Sequence, residues 1–237
     1  MANLCYTSIT FYVRANEKEA LEKMHRDFIR ISDGMYPTEN ELEGDGWMGD
    51  YADVYFPKLG HANINCRGSV QYIGHIQITP DEKYAFFEID TETAWSAKMG
   101  LWNEIVHNFY PPVQIAYISE EPGFDYLLYY DDSEGHQFYQ ATFYLSGYVP
   151  TKTGKLEYLD FDESEVKYFD GTIEELQDYF DSILPFAYEH KDNIAELDAE
   201  LNSAINDYVE NTEFEGEAYL HLAEFEECSP SEFELCR

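Results

Sequence analysis

The pattern of apolar and polar positions opens with a strand. Residues 5–13, Cys-Tyr-Thr-Ser-Ile-Thr-Phe-Tyr-Val, are rich in β-branched and aromatic types. The period then changes. Asn16 is placed to cap a helix with Glu17 and Glu19 in its first turn, and Leu21, Met24, Phe28 and Ile31 recur at a spacing that gathers them on one buried face. From Ser32 to about Asn65 the pattern lapses into a long irregular region with several glycines. Residues 69–79 and 84–90 predict two strands paired about the turn Pro80-Asp81-Glu82-Lys83. A second helix over 98–109 buries Leu101, Trp102, Ile105 and Phe109 and stops at Pro111-Pro112. Val113–Ser119, Tyr126–Tyr130 and Phe138–Leu145 follow as strands, the last two joined as a hairpin by Asp131-Asp132-Ser133-Glu134-Gly135.

The order β-α-β-β-α-β plus a hairpin predicts an α+β fold. Residues 1–150 are expected to form a ferredoxin-like split βαβ domain, an antiparallel sheet with helices on one face. The polar stretch from Tyr148 to Lys155, punctuated by Pro and Gly, marks the joint to a small, acidic, mainly helical segment over 151–237. There Thr172-x-x-Glu175 is a capping box, with Ile173, Leu176, Phe180 and Ile183 facing inward. After Pro185 a longer helix is predicted from about Glu189 to Glu210. Its apolar stripe is Ile194, Leu197, Leu201, Ile205 and Tyr208, and Glu189, Asp192, Glu196, Glu200 and Asp207 lie well away from it.

Charge narrows the classes of function. The chain holds 48 Asp+Glu against 14 Lys+Arg, a formal net charge of −34. Its 44% hydrophobic and 17% aromatic content builds a core, so the excess is not a signature of disorder. Residues 1–150 carry net −14 and residues 151–237 net −20. Such a surface repels nucleic acid and attracts basic surfaces, so the expected partner is a basic protein and not nucleic acid itself. No run of 18 apolar residues predicts a membrane span. Met1-Ala2-Asn3-Leu4-Cys5 lacks the basic start and apolar run of a signal peptide. Cys5, Cys66, Cys228 and Cys236 have no Cys-x-x-Cys spacing, and reduced thiols in a cytoplasm are expected. A two-fold dimer is the commonest oligomer, but at this charge it needs an apolar patch to overcome repulsion.

The residues that carry chemistry form few patterns. None of the seven histidines stands in a paired metal spacing, and phosphate-binding and nucleophile-elbow motifs are absent, so no cofactor is expected. Asp160-x-Asp162-x-Ser164 starts like a calcium loop, but Glu165 and Gly171 occupy the positions that need Gly and Glu. Asp45, Asp50, Asp53 and His61 have the donor atoms for Mg2+ or Mn2+, and read either as a metal-dependent enzyme site or as a solvated acidic loop. Glu120-Glu121 and Glu92 beside Trp95 resemble paired carboxylates near aromatics, with Trp95 and Trp102 expected in the core. Tyr129 and Tyr130, in a hairpin with rings on both faces, are expected to add an aromatic binding surface unless the C-terminal segment covers it.

Three segments carry a resemblance to a family. Met1-Ala2-Asn3-Leu4-Cys5 with Ile9-Thr10-Phe11, the run from Phe87 to Ser96, and Ser119-Glu120-Glu121-Pro122-Gly123 are similar to the YubB-type ferredoxin-like domains of plasmids and bacteriophages. The resemblance covers residues 1–13 and 84–147. It implies a fold and a mobile-element origin in a bacterial cytoplasm, and it supplies no catalytic residues. Together with the acid row it predicts a non-enzymatic protein that binds and inhibits a basic, nucleic-acid-binding host defence protein as a DNA mimic. Glu189, Asp192, Glu196, Glu200 and Asp207, with Tyr129 and Tyr130, are its expected contacts. The alternative is a metal-dependent enzyme built on the acidic loop around residues 45–61.

Overall fold

The computed structural model describes residues 3–38, 41–121, 126–139, 143–159, 168–169, 171–212 and 217–236. The fold is mixed α+β with mostly antiparallel pairing, and it divides into two compact units. The first holds residues 1–139 and 227–237, the second residues 140–226. The division therefore falls earlier than the expected joint at 150, and the last residues return to the first unit.

In the first unit, β1 (Leu4–Arg14) lies between β4 (Tyr84–Ala94) and β5 (Gln114–Glu121), antiparallel to both. β2 (Gly68–Ile73) and the short β3 (Gln77–Ile78) both pair with β4, and β6 (Tyr126–Tyr130) pairs with β5. With β11 (Glu226–Glu227) the order is β11-β6-β5-β1-β4-β2. The single strand expected over 69–79 is thus two pieces. Odd positions of β1, among them Ile9, Phe11 and Val13, pack against α1 (Lys18–Ser32), α2 (Met48–Tyr55) and α3 (Met99–Phe109). Leu21, Met24, Phe28 and Ile31 of α1 are all fully buried, as their spacing predicts. Asn16 caps nothing: it lies in a 3-10 turn over Ala15–Glu17, and α1 starts without a side-chain cap. α2 also corrects the reading of 32–65 as irregular, because Tyr51 and Tyr55 supply a buried aromatic edge against Phe28 and Trp102. Phe109 is exposed, at the edge of that cluster against Tyr55 and Phe56.

Among the described residues the expected hairpin of 126–130 with 138–145 is not formed: β6 pairs with β5, and 143–150 pairs elsewhere. Asp131 is buried, and its carboxylate accepts from the backbone N–H groups of Ser133, Phe138 and Tyr139. These bonds curl 131–139 into a loop that lays Phe138 on Tyr12, Tyr84 and Phe86, on the sheet face opposite the helices. β7 (Phe143–Pro150) instead belongs to the second unit, because Phe143, Leu145 and Val149 supply that unit's own core.

The second unit is also α+β rather than mainly helical. β7 pairs with β8 (Leu156–Leu159), β9 (Tyr168–Phe169) and β10 (Tyr219–Glu224). α4 (Ile173–Ile183) opens with the predicted capping box of Thr172 and Glu175. α5 runs Ile194–Glu210, capped by Asn193, so Glu189 and Asp192 precede the helix instead of belonging to it. Leu176 and Phe180 of α4 and Leu197, Leu201 and Ile205 of α5 share one core with Leu220 and Leu222. α5 also closes the outer edge of β10. Asn202 accepts from Leu220 N–H and donates to its carbonyl, and Asp198 accepts from Leu222 N–H. Covering an unpaired strand edge in this way keeps it from recruiting another strand.

Buried phenols make the first unit sensitive to alkali. Burial holds Tyr51, Tyr55, Tyr110 and Tyr117 above the ordinary value of 10.0. Because the folded value is the higher one, this stability is complete below pH 10 and is lost as pH rises beyond it and the unfolded chain ionises. Unfolding followed by circular dichroism should set in above pH 10, with part of the phenolate absorbance appearing only together with it. Full phenolate absorbance before any structural change would contradict this placement of the tyrosines.

Candidate partner-binding surface

The expected acidic site separates into acids that serve the fold and acids that do not. Glu200 is half-buried: it accepts from the Glu189 N–H at 3.0 Å and lies 3.7 Å from Lys191. Glu189 pairs with the same lysine at 2.8 Å, and this contact holds its carboxyl below the ordinary carboxylate range. These two residues clamp the chain entering α5. Asp192, Glu196 and Asp207 are exposed, and so is Glu210 at the end of the helix. α4 adds Glu174, Asp178 and Asp181 on its own solvent face, at spacings of one helical turn. Of these, Asp181 meets His190 at 3.1 Å. Both helices pack on the same core, so the second unit presents a helical layer dressed in carboxylates.

Tyr129 and Tyr130 do not form the expected exposed surface. Both are half-buried. The Tyr129 carbonyl accepts from Cys228 N–H, and Tyr130 lines a cavity of about 230 Å3 with Tyr12, His107, Asp132 and Ser229. Among the described residues the exposed tyrosines are Tyr6 and Tyr72 of the first unit and three in the second. On the sheet face of the second unit that α4 and α5 do not cover, Tyr219 of β10 stands opposite Tyr148 of β7, and Tyr148 opposite Tyr158 of β8. The three are 49%, 44% and 49% exposed. Their rings form a continuous row, with centroids 4.7 Å apart for Tyr148 and Tyr158 and 6.1 Å for Tyr148 and Tyr219. Gly147 permits the close approach of β10, because a Cβ there would lie 2.2 Å from the Tyr219 carbonyl oxygen. The alternation of 143–150 hints at an outward Tyr148. The row itself depends on pairing with a strand about seventy residues away, which local pattern does not encode.

The loop around residues 45–61 is occupied by its own structural bonds. Asp50 is 1% exposed, and its two oxygens accept from Glu43 N–H at 3.0 Å and Gly44 N–H at 2.7 Å. Asp53 holds His61 through both the backbone N–H and Nδ1, at 2.8 and 2.9 Å. Asp45 is exposed in a left-handed turn with φ 51°. Among the described residues no three His, Cys, Asp or Glu side chains gather as metal ligands. Asp160 to Ser164 lie outside the described residues.

The segments that carry the family resemblance meet at one end of the first sheet, where Leu4 pairs with Ala94 and Tyr6 with both Glu92 and Glu120. Trp102 is buried as expected, but Trp95 is 53% exposed with φ 72°, a strained backbone for a bulky residue. Its N–H is tied to the Asn3 carbonyl at 2.9 Å, and Thr93 holds the turn through the Ser96 carbonyl. Among the described residues no helix is long and apolar enough to cross a membrane. Comparison with protein-family models, curated proteins and solved structures finds no match to this chain.

The two classes of acid should respond differently to substitution. Asp50→Ala leaves the buried Gly44 N–H unmet and removes the acceptor of Glu43 N–H, and is expected to cost about 1–3 kcal/mol in denaturant unfolding. Glu196→Gln and Asp207→Asn should each stay within about 0.5 kcal/mol of the parent, as free surface positions do. Equal losses at all three positions would erase the distinction.

Proposed function

We propose that this protein is a non-enzymatic acidic binder. In this reading its first unit is a ferredoxin-like domain, and its second engages and blocks a basic, nucleic-acid-binding host protein as a DNA mimic. One observation carries the proposal. α4 and α5 turn Glu174, Asp178, Glu196, Asp207 and Glu210 to solvent from one helical layer, and the single lysine of that layer's entry, Lys191, is already engaged by Glu189 and Glu200. The unit as a whole carries 22 Asp+Glu against 4 Lys. Acids one helical turn apart lie about 5–6 Å apart along the axis. A strand of B-DNA carries a phosphate every ~3.4 Å, so the pairs Glu174/Asp178 and Asp207/Glu210 match it as local clusters, with Glu196 about 16 Å along α5 from Asp207. Like charges at this spacing weaken an isolated helix by a few tenths of a kcal/mol per pair, a cost that a binding role explains. The YubB-type resemblance supports a plasmid or phage origin and a bacterial cytoplasm as the setting, and the β5-β1-β4-β2 order supports the ferredoxin-like assignment.

The test is capture from bacterial lysate at low salt, followed by elution at high salt. The expected catch is basic nucleic-acid-binding protein, released by salt and displaced by duplex DNA. The variant Glu196→Gln/Asp207→Asn/Glu210→Gln should retain much less of it, chiefly through slower association. Capture of no basic nucleic-acid-binding protein would sink the proposal.

A further inference from the structure

The second unit has a face that the acidic helices do not explain. Tyr148, Tyr158 and Tyr219 form one cross-strand row, each close to half exposed, on the side of the sheet away from α4 and α5. Contiguous exposed aromatics of this kind mark interaction sites in soluble proteins. We infer that this row is a docking surface for an extended, arginine-bearing segment of a basic partner. The inference rests on the proposed reading of the protein as a binder of basic protein, and it names the chemistry of the segment bound.

Charge selects the occupant. Glu217 is exposed just before Tyr219 and Glu224 at the far end of β10, and the unit as a whole carries 22 Asp+Glu against 4 Lys. Base stacking on the tyrosines would bring phosphates to acid-rich chain, and a second copy would bring another net charge of −34. A guanidinium suits the row in two respects. It stacks flat on a tyrosine ring, which an ammonium does not, and it brings the opposite charge. Side chains on one face of an extended chain recur every ~6.7 Å. The Tyr148 and Tyr219 rings are 6.1 Å apart, so an Arg-x-Arg segment places a guanidinium over each.

Two fluorescent peptides of equal charge separate stacking from net attraction, one of alternating Arg and Ser and the other of alternating Lys and Ser. Binding is read by anisotropy at physiological salt. The parent protein is expected to favour the Arg peptide by about five- to ten-fold, the effect of one or two cation–π contacts. Tyr148→Thr/Tyr219→Thr should abolish this preference while leaving the Lys peptide's affinity nearly unchanged. Tyr148→Phe/Tyr219→Phe, which keeps the rings and the fold, should preserve it. The helical variant Glu196→Gln/Asp207→Asn/Glu210→Gln should weaken both peptides alike and leave their ratio intact, so the two readings fail separately. Equal binding of the two peptides by the parent, or a preference that survives loss of the rings, would overturn the inference. Displacement of the Arg peptide by a single-stranded oligonucleotide, or self-association through this face, would do the same.

Discussion

Mutual repulsion among 48 carboxylates, with 14 Lys and Arg to offset it, is the constraint under which every element of this protein is stable. Too few cations exist to pair the acids, and the fold fastens several of them with backbone amides. Asp131 collects three N–H groups, Asp50 two, and Asp198 one at the edge of β10. Glu175 and Glu232 reach back to the N–H groups of Thr172 and Ser229 in capping boxes. A charge-assisted bond from a backbone donor stabilises a carboxylate without importing a cation, and where it is buried it fixes a loop. The loops over 41–50 and 131–139 both take their shape from such an acid.

The same shortage explains the chemistry of the core. Tyrosine brings apolar area together with a neutral donor, so it satisfies carbonyls and carboxylates at no cost in charge. Tyr51 donates to the Phe28 carbonyl and Tyr117 to that of Cys228. Tyr55 and Tyr110 bond to one another at 2.7 Å, and Tyr110 passes its proton's bond on to Asp27. The burial of these phenols ties the first unit's stability to keeping them protonated.

Local periodicity made much of this legible. Leu21, Met24, Phe28 and Ile31, the stripe of α5, and the capping box at Thr172 are all properties of a few consecutive turns, and each stands in the structure as its spacing requires. What misled was chemistry whose partner lies far along the chain or on the backbone. Asp131-Asp132-Ser133-Glu134-Gly135 has the composition of a hairpin turn, but the buried Asp131 binds backbone beyond it and breaks the hairpin. β7 alternates like any half-buried strand, and nothing within it says that its core partners are Leu197, Leu201 and Leu222. Glu189 and Glu200 look like members of a free acid row because the lysine between them in space is reached only once α5 starts at Ile194. Trp95 is apolar and flanked by strand residues, yet its left-handed backbone turns it outward.

A carboxylate's freedom is therefore informative in this protein in a way that its presence is not. Acids face solvent in most proteins, and in a chain this acidic some do so by number alone. The selection lies in which ones are left unfastened. Asp198, Glu189 and Glu200 flank the same helix as Glu196, Asp207 and Glu210, and each of the first three is held by an amide or a lysine. Asn193 at the N-cap and Asn202 within the helix show that a neutral side chain meets such backbone needs. Among the described residues Asp207 and Glu210 have no such fastening, whereas Glu196 places its charge in the first turn of α5 and attracts Lys191. The charge of Asp207 and Glu210 is a surplus over what the bonds of that helix use. The tyrosine row on the opposite face is a surplus of the other kind, three neighbouring rings left in water where the exposed aromatics of the first unit, Tyr6, Tyr72, Trp95 and Phe109, belong to other elements.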